Sequence, residues 1–149
     1  MTAKPAKSHA GTKRRAKTTR CSDGAGLTSS AADYARFLQM LLNGGQWNGT
    51  RILKPATVRQ MTSNQIGDLK CMSPTDRFGY GFGIVAGAAK DQVAAAGSYY
   101  WGGFYSTGFW VDPEKKLVGV LMTQLFPSDH PTLYENFMKL AYAATQQVD

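Results

Sequence analysis

The chain has 149 residues, of which 43% are hydrophobic and 18% charged, which excludes an extended disordered protein and suits one globular domain. No apolar run approaches the length that spans a bilayer, and no apolar stretch follows the basic N-terminus as it would in a secretory signal, so a cytoplasmic location without membrane contact is favoured. The net charge of +7 comes from the first twenty residues, which hold seven basic and no acidic side chains, and the remainder is balanced.

The N-terminal segment, residues 1–22, is predicted to be a basic disordered arm, because Met1 is its only large apolar residue. The sequence "KRRAK" (Lys13 to Lys17) is also compatible with a nuclear localisation signal or a nucleic-acid-binding patch. The absence of acidic residues is compatible with a transit peptide. An inert tail, or an arm unrelated to the domain behind it, is the favoured interpretation. The domain is then predicted to occupy residues 23–149. Because its charge is balanced, nucleic acid is not an expected partner.

Metal and disulfide chemistry have little support in this sequence. Cys21 and Cys71 are too few and too far apart for a disulfide framework or a zinc site, and free thiols are expected. His9 lies in the arm, and His130 lies between Asp129 and Pro131 in a predicted loop. Each is interpreted as a surface histidine. We therefore expect neither a metal nor a cofactor.

The first predicted element is a helix that begins after Ser30. Ser30 is a suitable N-cap, and Asp33 at the third helical position completes a capping box. Gly44 or Gly45 is expected to end the helix. One apolar face recurs at helical spacing. It consists of Tyr34, Phe37, Leu38, Leu41 and Leu42.

A tight turn and a second helix follow. Asn48-Gly49 is a strong turn signal, and Pro55 suits the first turn of a short helix with Val58 and Met61 on one side. Residues 63–77 are predicted to be a polar loop.

The remainder of the chain is predicted to consist of strands and one helix. A strand is expected over Phe78 to Gly87, a turn over 88–92, and a hairpin around Asp112-Pro113-Glu114-Lys115. Its second strand, Leu117 to Gln124, is predicted to be buried on both faces. The C-terminal helix is predicted from Leu133, Phe137, Leu140, Ala141 and Ala144. Strands joined by short turns are antiparallel, so the fold class is α+β, an antiparallel sheet with flanking helices.

The succession of motifs resembles the last third of the serine β-lactamase-related family, with its penicillin-binding-protein-like fold. The motifs are "GAGLTSSAADYARFLQMLLNGG", "RILKPATVRQMT", "FGYGFGI" and "YYWGGFYSTGFWVDPEKKLVGVLMTQ". The chain is most similar to the branch of class C β-lactamases and β-lactamase-like esterases, from about residue 23 to the C-terminus. The order of the motifs carries this resemblance, since no single one is specific.

The resemblance implies an active-site strand. Where the family has Lys-Thr-Gly or Lys-Ser-Gly, some esterase-type members have Trp-Gly-Gly, and here Trp101-Gly102-Gly103 matches. The resemblance implies that Tyr100, Trp101, Gly102 and Gly103 bind substrate. It also implies that the backbone N–H of Phe104 is an oxyanion donor. Tryptophan in place of lysine favours esters over β-lactams. Tyr99 is interpreted as a core residue.

The family's nucleophile motif is missing from the sequence. None of the nine serines has a lysine three positions further on, and there is no Gly-x-Ser-x-Gly. Tyr134-Glu135-Asn136 matches the family's Tyr-x-Asn only as a string, in the predicted terminal helix, and is interpreted as chance. We therefore expect the C-terminal portion of a serine hydrolase, inactive alone and prone to self-association. Completed by its N-terminal part, it would act on a small-molecule ester or amide.

Two alternatives remain open from the sequence alone. The first is a non-catalytic binding module whose basic arm contacts nucleic acid, which would bind less tightly as salt rises. The second is a degenerate family member that only binds ligands or partners.

Overall fold

A computed structural model describes residues 28–71, 76–87, 93–126 and 129–145. The predicted basic arm, Cys21, His9 and the turn at 88–92 lie outside these ranges. Cys71 is a free cysteine in the described part of the chain. No helix of the described part is long and apolar enough to cross a membrane. The elements are α1 (Ala31–Leu42), β1 (Gln46–Trp47), β2 (Thr50–Arg51), α2 (Pro55–Met61), β3 (Asp76–Phe78), β4 (Gly83–Val85), β5 (Tyr99–Gly102), β6 (Gly108–Asp112), β7 (Leu117–Leu121) and α3 (Leu133–Thr145).

Helix α1 begins and ends where its capping residues predict. The Asp33 N–H donates to Ser30 Oγ at 3.2 Å, and the Ser30 hydroxyl donates in turn to the Asp33 carboxylate. At the other end, the Gly44 N–H donates to the Leu41 carbonyl and the Gly45 N–H to the Met40 carbonyl, both at 2.9 Å. This is a Schellman motif, and the φ of +65° at Gly44 explains why glycine is needed there.

The predicted Asn48-Gly49 turn is confirmed. It joins β1 to β2 in a small antiparallel hairpin, and Asn48 and Gly49 have φ values of 46° and 79°. Positive φ at both central residues defines the turn type that matches strand twist in two-residue hairpins. Helix α2 also begins at Pro55 as predicted and buries Val58.

Strands β3 to β7 form one five-stranded antiparallel sheet in which each strand pairs with the next one along the chain. The predicted α+β class is therefore confirmed. The single strand predicted over Phe78 to Gly87 was wrong, because the chain reverses after Phe78. The Gly79 N–H donates to the Phe82 carbonyl at 2.8 Å, and Gly81 has a φ of +89°. Strand β3 begins at Asp76, inside the predicted polar loop.

The prediction that the last strand is buried on both faces was also wrong. Strand β7 ends at Leu121, and of its five residues only Gly119 is fully buried. The reason is its position, because β7 is an edge strand of the described sheet and its residues have a neighbouring strand on one side only.

The main core lies between one face of the sheet and helices α1 and α2. It contains Leu38, Leu41, Val58, Phe82, Ile84, Tyr99, Phe109 and Val111. Helix α3 covers the other face, where the Trp110 ring contacts those of Phe137 and Tyr142. Leu140, predicted for the apolar face of α3, is 70% exposed, whereas Tyr142 is 4% exposed. The helix is oriented by its aromatic residues rather than by Leu140.

Glycines on the α3 face of the sheet provide space for aromatic rings. A Cβ added to Gly119 would lie 2.1 Å from the Trp110 ring, and one added to Gly108 would lie 2.5 Å from the Tyr134 ring. A Cβ at Gly83 would lie 2.9 Å from the Tyr100 ring. The glycines that interrupt the predicted strands are therefore required by close packing.

Candidate active site

The Trp-Gly-Gly segment begins at the end of β5 that extends beyond the shorter strand β4. The pairing of β5 with β4 ends at Tyr100, opposite Gly83. The pairing with β6 continues through Trp101 and Gly102. In the described part of the chain, Trp101 and Gly102 thus have a strand partner on one side only. Although β5 is the central strand, this end of it is locally an edge.

An open groove of about 340 Å³ lies at this end of the sheet. Trp101, Gly102 and Gly103 line it together with Met122 and Tyr34. The sequence did not point to Tyr34 as a groove residue, because its helical spacing indicated only the apolar face of α1. Burial raises the pKa of Tyr34 above its ordinary value. Its hydroxyl is therefore protonated at neutral pH and is a hydrogen-bond donor rather than a base.

Tyr100 is separated from the other predicted substrate-binding residues. Successive strand residues point to opposite faces, so Tyr100 faces α3 while Trp101 faces α1. The Tyr100 hydroxyl donates a hydrogen bond to the Asp76 carboxylate on β3. Burial, and then the neighbouring Asp76, raise the pKa of Tyr100. Tyr99 is 3% exposed and belongs to the core, as predicted.

Phe104 lies in the tight turn that joins β5 to β6. The Ser106 N–H donates to the Gly103 carbonyl at 3.1 Å, and the Gly103 N–H donates to the Thr107 carbonyl at 2.9 Å. Within the described residues, no backbone carbonyl accepts a hydrogen bond from the Phe104 N–H. The Phe104 N–H therefore lies directly after the Trp-Gly-Gly segment that lines the groove.

The two glycines of the motif are constrained differently by Thr107. A Cβ added to Gly103 would lie 2.2 Å from Thr107 Oγ1, so a side chain at this position would displace the Thr107 hydroxyl. A Cβ added to Gly102 would have only one close neighbour, the Thr107 carbonyl oxygen at 3.3 Å. Packing alone accounts for Gly103. Gly102 is exposed to solvent and is the less constrained of the two.

An exposed aromatic surface, formed by Phe104, Tyr105 and Phe126, adjoins the turn. The rings of Phe104 and Phe126 stack with centroids 4.2 Å apart, and Tyr105 packs edge-on against Phe104. The three side chains are 70%, 49% and 61% exposed, respectively. No pattern in the sequence indicated this surface, since Phe126 is distant from Phe104 in the chain and lies in a loop before Pro127.

Tyr134, the tyrosine of the Tyr-x-Asn string, lies on α3. Its hydroxyl donates to the Phe109 carbonyl at 2.8 Å, and burial raises its pKa. This hydroxyl therefore joins α3 to the sheet and is not a ready proton acceptor.

Solved structures with the same fold include a hydrolase and a synthase. EstCE1, a hydrolase with promiscuous acyltransferase activity, is 24% identical to this chain, with a TM-score of 0.63. The match covers 75% of this chain and 29% of the EstCE1 chain. The LovD9 mutant of simvastatin synthase from Aspergillus terreus is 26% identical to this chain, with a TM-score of 0.61. The match covers 80% of this chain and 35% of the synthase chain. The fold is thus that of the β-lactamase-related hydrolases.

The family follows from the sequence match. The Beta-lactamase family model matches residues 2–143, and the chain belongs to that family. The Mycobacterium tuberculosis protein Rv1367c is 31% identical over 72% of this chain. The chain spans about 30% of the length of that relative.

Proposed function

We propose that this chain supplies one wall of a serine hydrolase active site, the Trp-Gly-Gly strand and one oxyanion donor, and that it is inactive by itself. The serine nucleophile and its activating lysine would come from sequence outside these 149 residues. The substrate would be a small ester or amide bound in the groove beside Trp101.

One observation carries this proposal. The Phe104 N–H follows the Trp-Gly-Gly wall of an open groove and has no backbone acceptor among the described residues. A backbone donor directed at a developing oxyanion lowers the barrier by about 3 kcal/mol. The chain belongs to the Beta-lactamase family, but it spans only about 30% of a longer relative and none of its nine serines has the Ser-x-x-Lys spacing. These observations support the proposal that the chain is inactive by itself and that the nucleophile lies outside these residues.

Esters are preferred to β-lactams because of Trp101. The side chain is half-buried, its ring lies 5.0 Å from that of Phe78, and it lines the groove. An indole offers apolar contact to an acyl or alcohol group. It lacks the positive charge with which a lysine would attract a substrate carboxylate.

The test is complementation. The chain alone should not hydrolyse nitrophenyl acetate or nitrocefin above background. Mixed with an N-terminal segment of a family esterase that carries Ser-x-x-Lys and Tyr-x-Asn, it should hydrolyse nitrophenyl acetate, and a fluorophosphonate should label the serine of the added segment.

A pair of variants tests the oxyanion donor. Phe104→Pro removes the backbone N–H at a turn position where proline is tolerated, whereas Phe104→Ala keeps it. We expect the proline variant to lower kcat of the complemented enzyme about 10²–10³-fold relative to the alanine variant. Equal rates for the two variants, or turnover by the chain alone with labelling of one of its own serines, would refute the proposal.

A further inference from the structure

The exposed aromatic surface is continuous with the groove of the proposed hydrolase site at two points. Gly103 lines the groove and is followed directly by Phe104, whose backbone N–H is the proposed oxyanion donor. Met122 also lines the groove, and the chain runs from it through residues 123–125 to Phe126. A substrate whose carbonyl oxygen reaches the Phe104 N–H therefore lies next to these rings.

Hydrogen bonds hold the segment before Phe126 against the turn between β5 and β6. The Leu125 N–H donates to the Tyr105 carbonyl at 3.2 Å, and the Ser106 hydroxyl donates to the Leu125 carbonyl at 3.2 Å. The Thr123 hydroxyl also donates to the Tyr105 carbonyl. These bonds fix the position from which Phe126 stacks on its neighbouring ring.

Ser106 occupies a backbone conformation that glycine adopts at lower cost. Its φ is +60°, in the left-handed region. Glycine at this position would lose the hydroxyl that donates to the Leu125 carbonyl. The residue is thus less favourable for the backbone of the turn, but its side chain holds the Phe126 segment in place. Such local strain is typical of sites where the orientation of nearby groups matters.

The groove and the aromatic surface carry no charge. No residue that lines the groove is charged, and neither is any residue in 101–109 or 120–126. A charged substrate group placed here would lose hydration without gaining a partner. An uncharged aromatic group would instead pack against Phe104 and Phe126 in the stacked or edge-on geometries that aromatic pairs prefer. The surroundings therefore favour an uncharged aromatic ligand.

We propose that the aromatic surface binds an aromatic ring of the substrate, so that the completed enzyme acts on uncharged esters that carry such a ring. This inference rests on the proposed function and names its substrate class. The ester carbonyl would lie at the Phe104 N–H, and the ring would pack on Phe104 and Phe126 beside the groove. Phe126 would then determine specificity, since it belongs neither to the groove lining nor to the oxyanion donor.

Binding is measured on the chain alone, because the proposed function leaves it unable to hydrolyse an ester. Methyl benzoate is the probe, methyl cyclohexanecarboxylate is its saturated counterpart, and benzoate is the charged one. In ¹⁵N NMR, at chain concentrations low enough for a monomer, methyl benzoate should shift the backbone N–H of Phe126 and the indole N–H of Trp101. The indole of Trp110, on the other face of the sheet, should not shift. Methyl benzoate should bind at least about threefold more tightly than either comparison compound.

Variants locate the binding on the aromatic surface. Phe126→Ala should weaken methyl benzoate binding at least about threefold, and Ser106→Gly should weaken it by a similar factor because it releases the Phe126 segment. Leu140→Ala removes a similarly exposed apolar side chain on α3 and should bind like the unchanged chain. Equal binding of the three compounds, or unchanged affinity in a folded Phe126→Ala variant, would show that the surface serves only contact with another polypeptide and would overturn the proposal.

Turnover by the complemented enzyme separates specificity from structural damage. Phe126→Ala should lower kcat/KM for methyl benzoate at least about threefold more than kcat/KM for methyl acetate. An equal loss for both esters would indicate a structural defect and would also overturn the proposal. Methyl benzoate binding without any hydrolysis after complementation would refute the proposed function alone. Hydrolysis without a preference for the aromatic ester would refute this inference alone.

Discussion

The Tyr142 hydroxyl donates a hydrogen bond of 2.6 Å to Asp112 Oδ2 and thereby joins α3 to the last residue of β6. Both residues are almost fully buried. The other carboxylate oxygen accepts from the Lys115 N–H at 3.0 Å, so both oxygens of Asp112 are satisfied within the protein. A buried carboxylate is tolerated here because its partners are fixed on two different elements.

Tyr142→Phe should lower the free energy of unfolding by about 1.5–3 kcal/mol, because it removes a hydrogen bond to a buried charged group. Tyr134→Phe is the matched control, since that hydroxyl donates to an uncharged carbonyl, and its cost should be nearer about 1 kcal/mol. Urea denaturation of the two variants measures both values. A smaller loss in Tyr142→Phe than in Tyr134→Phe would contradict this account of α3 docking.

The buried tyrosines predict a loss of stability at alkaline pH. Burial raises the pKa of Tyr99, Tyr134 and Tyr142 above their ordinary value near 10. The folded state therefore retains protons that the unfolded state releases, so their contribution is fully present below pH 10 and is lost as pH rises above it. Urea denaturation between pH 8 and pH 11 should show this fall. A free energy of unfolding that stayed constant up to pH 11 would be inconsistent with it.

Gly119→Ala should destabilise the chain by about 3 kcal/mol, because the added methyl group would meet the fully buried Trp110 ring at 2.1 Å. Gly87→Ala is the control, since its added Cβ would have no neighbour within 4 Å, and it should change stability by less than about 0.5 kcal/mol. Thermal unfolding followed by near-ultraviolet circular dichroism reports on both stability and the Trp110 environment.

A double-mutant cycle separates the packing role of Gly103 from a role in substrate access. Gly103→Ala should destabilise the fold by about 1–2 kcal/mol through contact with Thr107 Oγ1. Thr107→Ala in the same chain should recover most of that loss, because it removes the opposing hydroxyl. If the two effects were simply additive, Thr107 would not be the reason for glycine at this position.

The exposed aromatic surface predicts self-association of the chain. Size-exclusion chromatography with light scattering should show concentration-dependent oligomers, because contiguous exposed apolar side chains promote association. Phe126→Lys should shift the chain toward the monomer by placing a charge in the stack. Leu140→Lys is the control, since Leu140 is equally apolar and 70% exposed but lies on α3. A compact monomer at all concentrations would argue against this use of the surface.

Local signals predicted the parts of the fold that local contacts determine. Ser30 and Gly44 marked the ends of α1, and Asn48-Gly49 marked the first hairpin, because each acts on its own backbone within a few residues. The hairpin of β3 and β4 was missed because glycine and aromatic residues alternate on both sides of the turn at Gly81, so the period of two continues through the reversal.

The candidate site was predictable only in part. The order of motifs predicted that Trp101 and Gly102 belong to a strand at the edge of an active site, and in the structure both line a groove. The need for glycine at Gly103 depends on Thr107 across the turn. The aromatic surface depends on a contact between Phe104 and Phe126, which are far apart in the chain. Such contacts follow from the folded geometry, and no spacing in the sequence indicates them.

The consecutive strand order of the sheet has a consequence for how the chain folds. Strands β4 to β7 each pair with the strand that precedes them in the chain, so the sheet needs only short loop closures between neighbours. Sheets built from sequentially close pairs form faster than sheets that need distant segments to meet. During synthesis, the strands from β3 to β7 can therefore pair one after another in the order in which they leave the ribosome. Helix α3 follows them in the chain and docks last.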